Sequence, residues 1–501
     1  MGEGYSGEPA ARIGRWSSAM LRSSGQAHGP AGRAKGIVIV PPSNGDYMLS
    51  PMISPHAIWW RAVHQAAPAV EYAEFVGLSG AAAELPVCAP GCDCRLRHAL
   101  ALSARKAIES CGLRVTALNA GGDSEMRARR RVETALRRKS AVVWQSDSRD
   151  ELALLAVRED GALMATRCGG ADDLICEVFT EIDVDFDMQR GGEFYGLSRS
   201  TSPRGPRSRR ELKALLEWIA SAFRPPTTGG CRIGGPLQQH GGGIAACELW
   251  AAIADAETSG RFARRAAVRR EAKEAGALWL RQVAGRGRSR LANRVRAAAD
   301  ALESEVDLCW RNSGVARTDR IERIQSARAW ARESAILLAE AAFAGAGLPS
   351  HAIAALLEEP SERLDGIALN EVIYLARASI RPLRELAARR LAGALAASAT
   401  SALIQLLYDD DGPVASTALW SLARQPMDRL VDVLLSAARN GQRARTDLDY
   451  PFTRTLLGAC VELDGASSLQ DFRIAIAVES PDSPLIGDID AVLSAPPVRQ
   501  P

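Results

Sequence analysis

The chain has 501 residues, with 47% apolar, 24% charged and 5% aromatic side chains and a formal net charge of +3. This is the composition of a folded globular protein, too apolar for a disordered chain and without the run of about 18 apolar residues that a membrane span needs. Ten cysteines at irregular spacings over so long a chain do not make a small disulfide scaffold, so reduced thiols and a cytoplasmic setting are expected.

Residues 1–35 are rich in Gly, Ser, Ala and Arg and read as a flexible arm. Residues 36–190 read as an α/β domain. It opens on the β-branched run Ile37-Val38-Ile39-Val40, followed by a helix over Pro55 to His64 that carries Trp59 and Trp60. Helical spacing over Leu96 to Cys111 precedes a strand at Leu113 to Leu118. A helix over Glu125 to Lys139 and a strand at Ala141 to Trp144 follow. Glu159-Asp160-Gly161 is a turn signal between two further strands, Glu151 to Val157 and Ala162 to Thr166. An extended register continues from Leu174 to Met188.

Residues 191–243 are rich in Gly, Pro and Arg. They read as a linker, with an exposed loop at 191–210, a short helix over Glu211 to Phe223 and a long loop after Pro225. Residues 244–345 are helical almost throughout and strongly basic. Residues 346–445 form a second helical series. Residues 446–501 hold a helix near Phe452 to Leu463, a strand at Phe472 to Val478 and a disordered Ser/Pro-rich tail. The fold class is therefore an α/β N-terminal domain followed by a large, mostly α-helical region.

Within the last helical series a repeat appears at an offset of 31 residues. Leu383 matches Val414, Ala387 matches Ala418, Leu391 matches Leu422, Leu403 matches Leu434 and Ile404 matches Leu435. Each unit reads as two short amphipathic helices, the second unit starting after Asp409-Asp410-Asp411-Gly412-Pro413. This stretch resembles HEAT-type helical repeats. The resemblance implies stacked helices that bury their apolar faces on one another and offer a broad docking surface. Only about two units are visible.

Four stretches carry candidate chemistry. Cys88, Cys92, Cys94 and His98 are four soft donors in eleven residues, a set that zinc takes. Asp183, Asp185 and Asp187 alternate with apolar residues, so a strand would line them on one face, where carboxylates hold a divalent cation for nucleotide chemistry. Cys247 follows the glycine loop His240-Gly241-Gly242-Gly243 at the start of a helix. There it reads as a nucleophile with His240 as base, a cysteine hydrolase. Each has a plainer reading: a loop of unpaired thiols, a solvated acidic face, a buried small hydrophobe.

The fourth stretch is basic. Twelve Arg or Lys lie between Arg261 and Arg296, opposed within that window by Glu271 and Glu274. Arg261, Arg265 and Arg269 fall on one helical face, and Arg286, Arg288 and Arg290 sit in a Gly-Arg-Gly-Arg loop. A second cluster runs from Arg127 to Lys139 and includes Arg130 and Arg138. Together they read as a surface for nucleic acid or another polyanion.

Residues 94–144 resemble the helix–strand–helix–strand opening of caspase-like cysteine peptidases. The catalytic pattern is not preserved. Gln145-Ser146 stands where the resemblance asks for His-Gly, and Cys247 lies in Ala-Ala-Cys-Glu. The resemblance therefore implies an inactive relative. On balance the sequence predicts a noncatalytic multidomain interaction or assembly protein. It would bind a protein partner or a polyanion through helical surfaces, with no cofactor required and with self-association open. The alternatives are the Cys247 hydrolase, or metal-dependent chemistry with zinc or another divalent cation.

Overall fold

The computed structural model describes residues 55–84, 87–88, 104–105, 107–118, 125–138, 140–145, 152–157, 163–167, 178–181, 193–200, 207–228, 239–286, 290–311, 317–345, 347–360, 362–425, 430–439, 456–461 and 466–494. An antiparallel sheet near the N-terminal end packs against a much larger body of helices.

The first described elements are helices α1 (Pro55–Ala66), α2 (Tyr72–Ser79) and α3 (Ala81–Glu84), then the short strand β1 (Val87–Cys88). Strand β2 (Leu113–Ala117), helix α4 (Glu125–Arg137) and strand β3 (Val142–Gln145) come next. They are followed by β4 (Leu152–Val157), β5 (Leu163–Arg167), β6 (Val178–Glu181) and β7 (Glu193–Arg199). The larger sheet has the order β2-β7-β3-β4-β5-β6, and every neighbouring pair is antiparallel. The hairpin predicted around Glu159-Asp160-Gly161 is present as β4 and β5, with Leu155 opposite Ala165.

One sequence expectation is overturned here. Residues 193–199 are a strand inside the sheet and not part of an exposed loop. Both β2 and β3 are antiparallel to β7, so they run in the same direction with β7 between them. The unit β2-α4-β3 is a split β-α-β crossover. Its middle strand arrives late in the sequence, behind Gly191-Gly192 and with Gly196 at its centre, which is why the local pattern looks like a loop. A Cβ at Gly196 would sit 3.2 Å from Leu118 Cδ2, so the sheet is tight at this point.

The two faces of the sheet serve different cores. Leu113, Val143, Leu154 and Leu197 join the main core, continuous with Ile58 and Trp59 of α1 and with the helices beyond. Val142, Trp144, Leu155 and Phe194 point the other way and meet Val132 of α4. The strand period of two divides them.

Helix α5 (Arg207–Phe223) leads to strands β8 (Thr227–Thr228) and β9 (Gln239–Gly241), which with β1 make a small sheet of order β1-β9-β8. The helical region then runs through α6 (Gly243–Ile253), α7 (Ser259–Gly285), α8 (Arg290–Glu305), a π-turn at Val306–Trp310 and α9 (Arg320–Gly345). The junction between α2, α5 and α7 is closely packed. Trp218 Nε1 donates to the Gly77 carbonyl at 2.8 Å, and the Trp218 and Trp279 rings lie 5.4 Å apart. A Cβ on Gly77 would fall 2.1 Å from Trp279, so only glycine lets α2 approach this closely.

The repeat is present and longer than the sequence reading. Its helices are α10 (Ser350–Leu357), α11 (Gly366–Leu375), α12 (Arg381–Arg390), α13 (Ala397–Leu407), α14 (Gly412–Leu422) and α15 (Leu430–Arg439). The first helices of the three pairs start at Ser350, Arg381 and Gly412, so the 31-residue offset holds twice. Ala352, Leu383 and Val414 are buried at equivalent positions, as are Leu356, Ala387 and Ala418, and Val372, Leu403 and Leu434. Three units meet what a stack needs in order to bury its faces. The packing is consistent with a HEAT-like helical repeat, and not with any specific catalytic fold.

At the C-terminal end, the strand expected at Phe472 to Val478 is helix instead, within α16 (Ser467–Glu479). The tail continues into a further helix, α17 (Pro484–Leu493). Ser483 caps it, its hydroxyl accepting from the Leu485 amide at 3.4 Å, with Pro484 in the first turn. Ser-Pro here is a helix start, not a breaker.

Candidate anion-binding groove

A groove of about 370 Å³ opens where α4 crosses the edge of the larger sheet. One wall is the α4 face made by Arg130, Arg131, Thr134 and Ala135 and by Arg138 just beyond its end. The other wall is Thr116 and Leu118 from the β2 end, Gly196 and Ser198 of β7, and Ser140 ahead of β3. None of these lining residues is acidic.

The local sequence explains this wall. In α4, Ala128 and Val132 are buried against the sheet, while Arg127, Arg129, Arg130, Arg131, Arg137 and Arg138 are exposed. Glu133 pairs with Arg129 at 3.0 Å and Arg137 at 3.8 Å, one turn away on either side. Thr134 Oγ1 donates to the Arg130 carbonyl at 2.6 Å, which leaves the hydroxyl oxygen on the groove wall. On the sheet, residues 114, 116 and 118 share a face, and the register sets Arg114 opposite Ser198. Arg114 is exposed on that face, an isolated cation between Leu113 and Val115.

The other basic stretch is built differently. Arg265 is buried and its Nε lies 3.2 Å from Glu257. Arg269 is buried too, its Nε donating to Glu305 Oε1 at 2.7 Å, while Lys273 Nζ sits 2.9 Å from Glu305 Oε2. Trp310 Nε1 adds a third bond to the same carboxylate at 3.1 Å and stacks on Trp250 at 5.2 Å. The π-turn right after Glu305 places Cys309 and Trp310 in this core. Burial alone would raise the Glu305 carboxyl, but Lys273 and Arg269 outweigh it and hold it below the ordinary carboxylate range. Burial pulls the Lys273 ammonium down.

Arg265 and Arg269 are thus turned away from any surface polyanion. Their partners, Glu257 and Glu305, lie just outside the basic stretch from Arg261 to Arg296, so its local charge does not reveal the pairing. Further along, Arg281 pairs with Asp300 at 2.8 Å and Glu303 at 2.6 Å, and Arg294 with Glu340 at 3.3 Å. Arg286 is exposed and pairs with Glu211 of α5. The Arg261 and Arg290 side chains, and Arg288 altogether, lie outside the described residues.

Cys247 lies in the same buried cluster as Trp250, Cys309 and Trp310. Burial pushes its thiol up, against the pull of Arg269, which hydrogen-bonds the sulfur. The Cys309 thiol is pushed up to about 12, by burial first and then by Glu305. A prepared nucleophile needs access and a lowered thiol pKa, and Cys247 has neither. His240 pairs in register with Cys88 between β9 and β1, and the side chains of both lie outside the described residues. So do Cys92, Cys94, His98, Asp183, Asp185 and Asp187. Among the described residues no cluster of three or more His, Cys, Asp or Glu side chains could hold a metal ion. Likewise no described helix is long and apolar enough to cross a membrane.

Comparison with protein-family models finds no match, and comparison with curated proteins finds no relative.

Proposed function

We propose that this chain is a noncatalytic interaction protein that holds a polyanion in the groove between α4 and the sheet edge, with the stacked helices serving as scaffold and as a docking surface for a protein partner. The groove carries this reading. Three arginines face three hydroxyl-bearing residues across it, with no carboxylate among the described residues of its lining. Guanidinium groups bind phosphate or sulfate oxygens through charge-assisted, often bidentate hydrogen bonds. Hydroxyls add donors without adding charge.

The test is fluorescence anisotropy of a labelled single-stranded oligonucleotide and a labelled heparin fragment against the full chain, over a range of salt. Binding through arginine contacts makes log K fall linearly with log salt, with a slope near −0.7 per phosphate neutralised on a single strand. The double substitution Arg130→Glu with Arg138→Glu is expected to weaken it by about two orders of magnitude. Unchanged affinity in that variant, or no binding at low salt, would refute the reading.

A further inference from the structure

We infer that the groove takes closely spaced phosphate groups on a compact ligand, an inorganic or polyol polyphosphate, in preference to a nucleic-acid strand. This rests on the polyanion reading above and narrows it.

Size is the first ground. A volume of about 370 Å³ is at the small end of the range for small-molecule sites. Arg131 and Arg138 are seven residues apart, so along the helix they span roughly 10 Å at 1.5 Å per residue. That is room for a few adjoining phosphates.

The lining is the second ground. Proteins that follow single strands stack bases on aromatic side chains. Among the described residues no aromatic side chain lines this groove. What it offers is guanidinium on one side and the hydroxyls of Thr116, Ser140 and Ser198 on the other, a set that reads phosphate oxygens and leaves a base unread. Arg114, paired in register with Ser198, is a further exposed cation on the same strand face as Thr116.

Reach is the third. A strand needs a basic track that continues past one pocket. Arg265 and Arg269 of α7, which the sequence puts on such a basic face, are buried on Glu257 and Glu305.

The experiment is isothermal titration of the full chain with tripolyphosphate, inositol hexakisphosphate and orthophosphate, alongside competition against a labelled oligothymidylate. The wild-type chain is expected to bind tripolyphosphate and inositol hexakisphosphate at one site per chain, both displacing the oligonucleotide, and orthophosphate at least tenfold more weakly. Arg130→Glu with Arg138→Glu should weaken tripolyphosphate about 100-fold, as expected for losing two charge-assisted contacts. Ser198→Asp, which adds a carboxylate to the opposite wall, should act in the same direction. Both variants alter exposed side chains, and an unchanged thermal midpoint reports an intact fold. The two polyphosphates separate the sources: preference for tripolyphosphate marks a linear chain, preference for inositol hexakisphosphate a ring-borne cluster. If the oligonucleotide binds and is lost in the double variant while neither polyphosphate binds or competes, the inference is overturned and the polyanion reading stands. Orthophosphate binding as tightly as tripolyphosphate would also overturn it. If nothing binds, both fall.

Discussion

Two arginine-rich helices, α4 and α7, look alike in sequence and do opposite things in the fold. In α7, Arg265, Arg269 and Lys273 point into the core and are consumed by Glu257 and Glu305. In α4, Arg130, Arg131 and Arg138 stay exposed and line a groove whose described residues include no acid. Charge density along a chain does not say where the charge goes. In α7 the opposite charge arrives from other elements, α8 and the turn before α7, and draws the cations inward.

The sharpest way to break the contrast is to remove the acid that holds the α7 charges. Glu305→Ala leaves Arg269 and Lys273 buried without their carboxylate and should cost about 3–5 kcal/mol in a denaturant titration, because an uncompensated buried charge is left behind. Polyanion affinity at α4 should stay as in the wild type. A stability change below 1 kcal/mol would mean that the cluster is not what holds α7 to α8.

Next comes the converse substitution. Arg130→Glu with Arg138→Glu should leave stability within about 0.5 kcal/mol, as exposed changes usually do. Binding should drop by about two orders of magnitude. A loss of both together would place these arginines in the fold and not in a site.

Acid titration separates the two helices again. The Glu305 carboxyl is held low in the folded chain, so an unfolded chain takes up its proton first as pH falls. Its stabilising effect is therefore present in full above the ordinary carboxylate range, near pH 4.3, and is lost as pH falls below it. Comparing acid unfolding of wild type and Glu305→Gln checks this: the variant should be weaker at neutral pH and show a flatter acid limb. The smallest effect is at Cys247. Its buried, raised thiol should react with a thiol reagent only after unfolding, and Cys247→Ala should cost about 1 kcal/mol, a lost small buried group. Rapid labelling of the native chain at Cys247 would reopen the nucleophile.

Much of the fold could be read from the sequence where the signal is local. The β4–β5 hairpin, α4 and the helical second half all follow from period and turn chemistry. The middle strand β7 was not legible, because a strand that pairs with β2 from 78–86 residues downstream and with β3 from 48–54 carries no local mark of its partners. The first repeat unit was hidden for another reason. Its buried positions use Ala352 and Leu356, where the next unit uses Leu383 and Ala387, so size alternates while burial is kept. Proline near the start of each first helix, at Pro349, Pro382 and Pro413, is the signal that would have found it. Half of the groove was legible, as the arginines of α4. Its other wall, Thr116, Ser140 and Ser198, exists only once the sheet is assembled.

The units of the repeat stack are also tied to one another by polar contacts. Arg390, on the second unit, donates to the Ala355 and Glu362 carbonyls of the first at 2.9 and 2.8 Å. Ser421 and Gln425, on the third, donate to Ala388, Leu391 and Ala394 of the second at 2.7, 3.0 and 2.9 Å. Thr400, on the second, donates back to the Gln425 side chain at 2.6 Å. Removing a unit from either end would uncover apolar faces and would also strip partners from polar groups that are now buried, the Arg390 guanidinium among them. The stack therefore resists shortening by a polar cost as well as an apolar one.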